Sequence, residues 1–358
     1  MPYKKGGSGL NMVVQSLPPG QFTVVDTRAV LNKLMCIQEG AVQKYGPGNF
    51  RWVCTVGDLS AMYDEVDPIL ACDKAESAIS CLPEWTGRRL CEWLNMSYKG
   101  STVAWGKANR EHRVDVDFTR LIQMCRFDCA HTLYKFCGQV NRRKFGVPMG
   151  GFMSPGLAIL CCAMVEMEME QGPEGLIGTV VRFMDDVFGV YAVGNDAEEQ
   201  LVREHYGRIA VGYPPPLVLN VEQPADSHRF LELELNTGRE LLQCLLFNPV
   251  YSAVTTGGRV LQRLPEHGGG TTKRDRLSWI IGALFRIVYG CLTPTDVALS
   301  VCKLAVELEL SRTSSSRGLL RVALLRVSVI ILESMEEDER MKEFSGTFVF
   351  LYRMLGGL

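Results

Sequence analysis

The sequence contains no run of about 18 or more apolar residues, so neither a membrane span nor a membrane partner is expected. Its longest apolar stretch, Leu157 to Val165, is too short to cross a bilayer. The first residues, Met1-Pro2-Tyr3-Lys4-Lys5-Gly6-Gly7, lack the apolar core of a secretory signal. Cysteine is plentiful at 13, but there is no Cys-x-x-Cys pair and no cysteine–histidine cluster at zinc spacing. That argues against a zinc module and against a disulfide framework. Cys161-Cys162 lies within the apolar stretch, where a thiol behaves as a small hydrophobe. These absences together imply a reduced, intracellular protein, with nothing to separate nucleus from cytoplasm. An overall cationic excess is lacking too: the net charge is −2, which over the whole chain argues against a nucleic-acid partner.

The distribution of charge along the chain points the other way. From Arg259 to Arg286, six cations (Arg259, Arg263, Lys273, Arg274, Arg276 and Arg286) stand against only Glu266 and Asp275. From Ser311 to Arg326, Arg312, Arg317, Arg321 and Arg326 stand with no acid at all. The opposing carboxylates gather in the tail, Glu333 to Glu343. A basic C-terminal third is the electrostatic footprint of a phosphate backbone. With 358 residues, 47% of them hydrophobic, the chain can bury a core and divide into two or three domains.

The most informative stretch is Thr179-Val180-Val181-Arg182-Phe183-Met184-Asp185-Asp186-Val187-Phe188-Gly189-Val190. Two adjacent carboxylates between β-branched and aromatic runs predict strand, tight turn, strand. Like charges at a hairpin tip repel unless a cation neutralises them, and hard oxygen ligands suit Mg2+ or Mn2+. Taken alone, the pair also reads as a solvated Asp-Asp turn. Upstream, a strand over Arg51–Val56 runs into Asp58, with Tyr63 following. Asp58 at a strand end can meet the hairpin tip from a neighbouring strand. Asp58, Asp185 and Asp186 would then hold two divalent ions. The competing reading of Asp58 is a helix N-cap.

A third stretch, Asn141 to Ala158, joins the basic run Arg142, Arg143, Lys144 to a glycine-rich loop and a helix start. Ser154 is placed to cap that helix, with Pro155 at its first position. Bare backbone at Gly150 and Gly151 lets a planar group approach closely, which fits a nucleotide and its template base. A plain loop entering a buried helix fits the same residues. Elsewhere the pattern is mixed α/β up to about residue 250 and helical beyond it. Residues 1–20 read as a loop, Asp26–Gln43 as a helix capped by Asp26, and 71–96 as helix broken at Pro83 and Gly87. Lys99–Asp117 reads as a short hairpin and Phe230–Leu235 as one alternating strand. Leu277–Tyr289, Asp296–Leu310 and Leu319–Leu332 read as helices.

In their order along the chain, these stretches resemble the right-hand polymerase palm of reverse transcriptases. Asp58 and Tyr63 match the family's Asp-x4-aromatic strand end. Gly146-Val147-Pro148-Met149-Gly150, Ser154-Pro155 and Ala158 match its loop-helix, and Phe183-Met184-Asp185-Asp186 its hairpin. Phe230-Leu231-Glu232 stands where the family's Phe-Leu strand follows the palm. The Met-Gly form of the middle motif is most similar to Penelope-like retroelements. The resemblance covers roughly residues 24–330. It implies an α/β (α+β) fold: a right-hand palm with an antiparallel sheet and flanking helices, followed by a helical thumb. Residues 1–50 would be a remnant of the fingers, and 51–250 the palm, with a fingers-side insertion at about 71–140. Residues 251–332 would be a basic thumb and 333–358 an acidic, then apolar tail.

The activity implied is RNA-directed DNA synthesis from deoxynucleoside triphosphates, with an RNA template and a DNA primer as partners. Two ions, Mg2+ or Mn2+, would be held by Asp58 and Asp185 with Asp186 beside them. Tyr63 would stack beneath the sugar and exclude a 2′-hydroxyl; its other reading is an ordinary half-buried aromatic. Gly150, Gly151, Phe152 and Met184 would line the nucleotide. Arg142, Arg143, Lys144, Lys273, Arg274, Arg276, Arg286 and Arg317 would bind nucleic acid.

Three departures from the family stand out. Most of the fingers segment is expected to be missing, no endonuclease domain is expected behind the thumb, and no lysine occurs between Lys144 and Lys273. The last removes the usual lysine proton donor to pyrophosphate. A catalytically impaired or truncated retroelement-derived palm, binding nucleic acid or protein, is the alternative these departures raise. An RNA-templated RNA polymerase shares the palm but usually carries glycine before the Asp pair, where this chain has Phe183-Met184.

Overall fold

Apolar alternation around the Asp185-Asp186 pair and helical periodicity on either side of it build the architecture. The structure is a computed structural model. It describes residues 3–18, 21–24, 26–86, 93–97, 103–107, 113–143, 145–147, 151, 153–169, 172–222, 227–237, 241–257, 272–310, 316–334 and 339–356. The first half of the chain runs α1 (Tyr3–Gln15), α2 (Thr27–Tyr45), β1 (Arg51–Leu59), α3 (Met62–Glu65), α4 (Pro68–Thr86), β2 (Trp93–Ser97), β3 (Val103–Trp105), β4 (Arg113–Asp117), α5 (Phe118–Ala130), β5 (Leu133–Phe136), β6 (Gln139–Arg142) and α6 (Ser154–Glu168). The second half runs β7 (Ile177–Phe183), β8 (Asp186–Val193), α7 (Asp196–Gly212), β9 (Leu219–Val221), β10 (Ser227–Phe230), β11 (Leu233–Asn236), β12 (Gln243–Leu246), α8 (Pro249–Thr255), α9 (Lys273–Gly290), α10 (Pro294–Leu310), α11 (Ser316–Ser334) and α12 (Glu339–Met354). This is the expected mixed class, with antiparallel sheets. Among the described residues no helix is long and apolar enough to cross a membrane, and every described cysteine is a free thiol.

The chain divides into two units, one of 1–24, 55–190 and 196–223, the other of 25–54, 191–195 and 224–358. In the first unit the central sheet has the order β7-β8-β1-β9. The unbroken apolar run Val187–Val193 makes β8 a strand buried almost along its length. The helix α6 is apolar over Leu157–Val165 and packs on α1 and α4, with Leu157, Leu160, Cys161 and Ala163 fully buried. Burial pushes the Cys162 thiol up to about 11, so it serves as a neutral core side chain.

In this first unit four expectations are corrected by the structure. Residues 3–15 form α1 rather than a loop. Glycine costs up to about 1 kcal/mol at each helical position, but burying Leu10, Val13 and Val14 returns about 1.5–3 kcal/mol each. The helix α4 runs through Pro83 to Thr86, because Ala71, Ala75, Ala78 and Leu82 form a fully buried face that outweighs the proline; Gly87 lies outside the described residues. Residues 93–97 are strand β2 and not helix, and β3 and β4 pair with its two edges instead of with each other. Leu94, opposite both Trp105 and Val116, is fully buried there. Finally, Met153 and not Ser154 is the cap of α6: Ser154 is the first helical residue, buried, and makes no capping bond.

In the second unit, the stretch read as one strand over Phe230–Leu235 is a hairpin. Leu231 and Glu232 form its turn, Leu231 takes φ 56, and Phe230 faces Leu233 in β11. A two-residue turn keeps Phe230, Leu233 and Leu235 all buried, which the sequence shows only as alternation. Asp26 caps α2 as expected, accepting from the Ala29 amide at 2.8 Å. The helices α9 to α12 share one apolar core that includes Leu284, Leu304, Leu324, Phe344 and Phe348. Thr272 and Asp275 close a reciprocal capping box at the start of α9. The acidic, then apolar tail is thus largely a packed helix, α12.

Candidate active site

Strand β1 carries Asp58, and the residue before it decides how closely β9 can approach. A Cβ on Gly57 would stand 2.9 Å from the Asn220 carbonyl oxygen, so only glycine allows the observed pairing of Asp58 with Asn220. Asp58 lies within the strand. The short helix α3 is capped further on by Ala61, in the left-handed region at φ 50, and the N-cap reading of Asp58 falls. Met184, in the turn between β7 and β8, is left-handed too at φ 55. Non-glycine residues held in that region mark sites where the surroundings over-determine the backbone.

Asp185 follows Met184 in the turn, and Asp186 opens β8. The Asp58 carboxyl is lifted above its ordinary value by burial and, next, by the charge of Asp185. The negative charge of Asp185 thus bears directly on the Asp58 carboxyl. Asp58 remains exposed to water, so that repulsion is screened. Among the described residues no three His, Cys, Asp or Glu side chains converge on one point. What the fold brings together is the pair Asp58–Asp185, whose hard, like-charged oxygens fit Mg2+ or Mn2+ in type and sign.

Tyr63, on α3, is half-buried, and its hydroxyl lies 3.9 Å from the Met184 sulfur. Burial and then Asp185 raise its phenol above the ordinary value. The glycine loop docks on the same helix turn. The Val147 amide donates to the Tyr63 carbonyl at 2.8 Å. Gly146 takes φ +72, where a Cβ would stand 2.5 Å from the Asp64 carbonyl oxygen. Arg143 pairs with Asp64, and its Nε donates to the Phe145 carbonyl at 2.7 Å. Gly151 is half-exposed just ahead of α6; Gly150, Phe152 and Lys144 lie outside the described residues.

Of the cations singled out for nucleic acid, Arg142 is exposed on β6, whereas Arg143 is engaged with Asp64. In the second unit, Lys273 and Arg274 are exposed in the first turn of α9 and Arg276 is half-buried there. Arg286 pairs with Glu232 at 3.7 Å and Arg317 with Glu309 at 3.6 Å. Exposed pairs of this kind are worth about 0–1 kcal/mol and open readily.

Sequence reasoning missed a buried polar cluster beneath the carboxylate turn. Arg182 of β7 and Glu166 of α6 are fully buried and paired, and the Tyr213 hydroxyl donates to the same Glu166 oxygen at 3.0 Å. Burial alone would depress the guanidinium, but Glu166, helped by Cys162 and Tyr213, holds it above its ordinary value. The available signal was a lone arginine inside an apolar strand and a glutamate, Glu166, directly continuing the apolar run Leu157–Val165. Such residues are rarely buried unless paired.

No protein-family model matches the chain, and no curated protein does. Solved structures do. Telomerase from Candida albicans, in complex with a TWJ fragment of telomeric RNA, matches with a TM-score of 0.56 at 14% identity, over 99% of this chain and 58% of that one. The fold is reverse-transcriptase-like. Apo telomerase from Candida tropicalis matches with a TM-score of 0.51 at 13% identity, over 96% of this chain and 55% of that one. The Candida tropicalis enzyme in complex with a TWJ fragment of telomeric RNA gives 0.51 at 12% identity, over 97% and 56%. The chain thus spans a little over half the length of the solved structures it matches.

Proposed function

We propose that the chain is an RNA-directed DNA polymerase, transferring a nucleotidyl group from a deoxynucleoside triphosphate to a primer 3′-hydroxyl. The observation that carries this reading is the meeting of Asp58, on strand β1, with Asp185, in the turn ahead of the neighbouring β8, with Tyr63 against Met184 beside them. The likeness of the fold to telomerase structures, two of them holding telomeric RNA, supports nucleic acid as the substrate class. The Met149-Gly150 form of the loop supports placing the chain nearest the Penelope-like retroelements.

Asp58 and Asp185, with Asp186 beside them, would hold two Mg2+ or Mn2+ ions. Such ions, when bound, activate a 3′-hydroxyl and neutralise a leaving pyrophosphate. The chain's own residues have the remaining tasks. Tyr63, whose hydroxyl lies beside the Met184 sulfur, would stack beneath the sugar and exclude a 2′-hydroxyl. Gly151 and Met184 would line the nucleotide, as would Gly150 and Phe152, which lie outside the described residues. Arg142 in the first unit and, separately, Lys273, Arg274, Arg276, Arg286 and Arg317 in the second would each bind phosphate through sequence-independent contacts; Lys144, outside the described residues, would do the same.

The test is primer extension on an RNA template with deoxynucleotides and Mg2+ or Mn2+, wild type beside Asp185→Ala. Extension by wild type alone is expected. Extension by neither, with both proteins folded and binding primer–template, would select the other reading, a catalytically impaired palm that serves as a nucleic-acid binding module.

A further inference from the structure

We infer that the buried Arg182–Glu166 pair is a positioning device: through Arg182 it holds the Met184 carbonyl and thereby sets Asp185 opposite Asp58. The inference rests on the polymerase reading in taking that carboxylate pair as the reacting centre.

Both side chains are 0% exposed. Every nitrogen of the guanidinium is committed. Nε donates to Glu166, Nη1 to the Met184 carbonyl at 2.7 Å, and Nη2 to the Thr23 hydroxyl at 2.8 Å and the Ile159 carbonyl at 3.2 Å. Glu166 is held in turn: its Oε2 accepts from the Phe22 amide at 2.8 Å and its Oε1 from the Tyr213 hydroxyl at 3.0 Å. The backbone of Arg182 is clamped as well, donating to the Phe22 carbonyl at 2.6 Å and accepting from the Val24 amide at 2.8 Å. One side chain therefore joins the 22–24 segment, two positions of α6 and the carboxylate turn.

Stability does not explain such a pair. Taking two charges out of water is costly, and well-packed apolar residues in their place are often as stable or more so. An apolar pair could not donate to the Met184 carbonyl. That carbonyl belongs to a left-handed non-glycine residue immediately before Asp185, a backbone state that persists only when something holds it. A lysine could keep the charge pair with Glu166 but lacks the planar fork needed to reach the turn carbonyl at the same time.

The experiment uses the full chain and reads Mn2+ affinity by electron paramagnetic resonance, without nucleic acid, beside the melting temperature. Three variants are compared with wild type: Arg182→Lys, the charge-free double variant Arg182→Met with Glu166→Met, and Val202→Ala, a buried position of α7, as a core control. Loss of a residue that orients a metal ligand typically weakens metal affinity about 10–100-fold. That loss is expected for Arg182→Lys and for a folded double variant, with Val202→Ala unchanged. A folded double variant that keeps wild-type Mn2+ affinity overturns the inference. So does a double variant that cannot fold, which would assign the pair to stability, or an equal loss in Val202→Ala. Wild type that binds Mn2+ but extends no primer, with the variants weakened, leaves the positioning role standing and removes the polymerase reading. Wild type that binds no Mn2+ removes both.

Discussion

The Leu59 amide donates to the Asp185 carbonyl oxygen at 2.8 Å, so the residue after Asp58 and the first carboxylate of the turn are one hydrogen bond apart. This bond makes the repulsion between Asp58 and Asp185 a property of the folded chain. Because the Asp58 value is raised on folding, the folded state holds that proton more tightly than the unfolded chain. The resulting penalty is absent at low pH. It grows as pH climbs through the ordinary aspartate value of about 3.9, and is complete once pH passes the raised folded value. In metal-free buffer at neutral pH, Asp185→Asn should therefore melt at or slightly above wild type. Added Mg2+ should raise the melting temperature of wild type more than that of the variant. A sharp drop for Asp185→Asn without metal would contradict this account.

Tyr63 presents its ring beside Met184 and Asp185, so its size rather than its hydroxyl should govern sugar selection. Tyr63→Ala is expected to relax discrimination against ribonucleotides by about tenfold or more, the scale of steric selection in a pocket. Tyr63→Phe should retain it. The readout is the ratio of kcat/KM for a deoxynucleotide and its ribonucleotide; an unchanged ratio in Tyr63→Ala would leave the residue a core aromatic.

Gly146 couples the glycine loop to α3 through close backbone approach at a positive φ. Gly146→Ala should cost at least about 1–3 kcal/mol from the backbone state alone, since the clash with the Asp64 carbonyl adds to it. Urea unfolding measures the cost, and a change within about 0.5 kcal/mol, as at an ordinary surface site, would refute the docking described.

Phe348 is fully buried in the core shared by α9 to α12, whereas Phe350, two residues on, is 59% exposed. Phe348→Ala should destabilise by about 3–5 kcal/mol and Phe350→Ala by no more than about 0.5 kcal/mol. Equal, small effects would mean that α12 does not belong to the bundle.

The hairpin around Asp185 was legible because strand propensity and carboxylate chemistry point to the same residues. Asp26 and the helices α9 to α11 were legible through capping and periodicity. The strand β2 was not, because what makes Trp93–Ser97 a strand is pairing with segments on both sides, which local propensity does not encode. The α1 helix was hidden by its glycines, whose cost is met by tertiary burial. The Glu166–Arg182 pair was hidden for a related reason: each residue looks anomalous alone, and only packing α6 beside β7 shows that they satisfy one another.

That pair also bears on how the chain finds its fold. Side chains alternate along a strand, so a slip of β7 by one residue would turn Arg182 to the opposite face and leave Glu166 buried without its cationic partner. An all-apolar sheet would tolerate such a slip far more readily. The cluster beneath the turn thus acts as a proofreading device for strand alignment, making misaligned hairpins costly before Asp185 ever reaches its place.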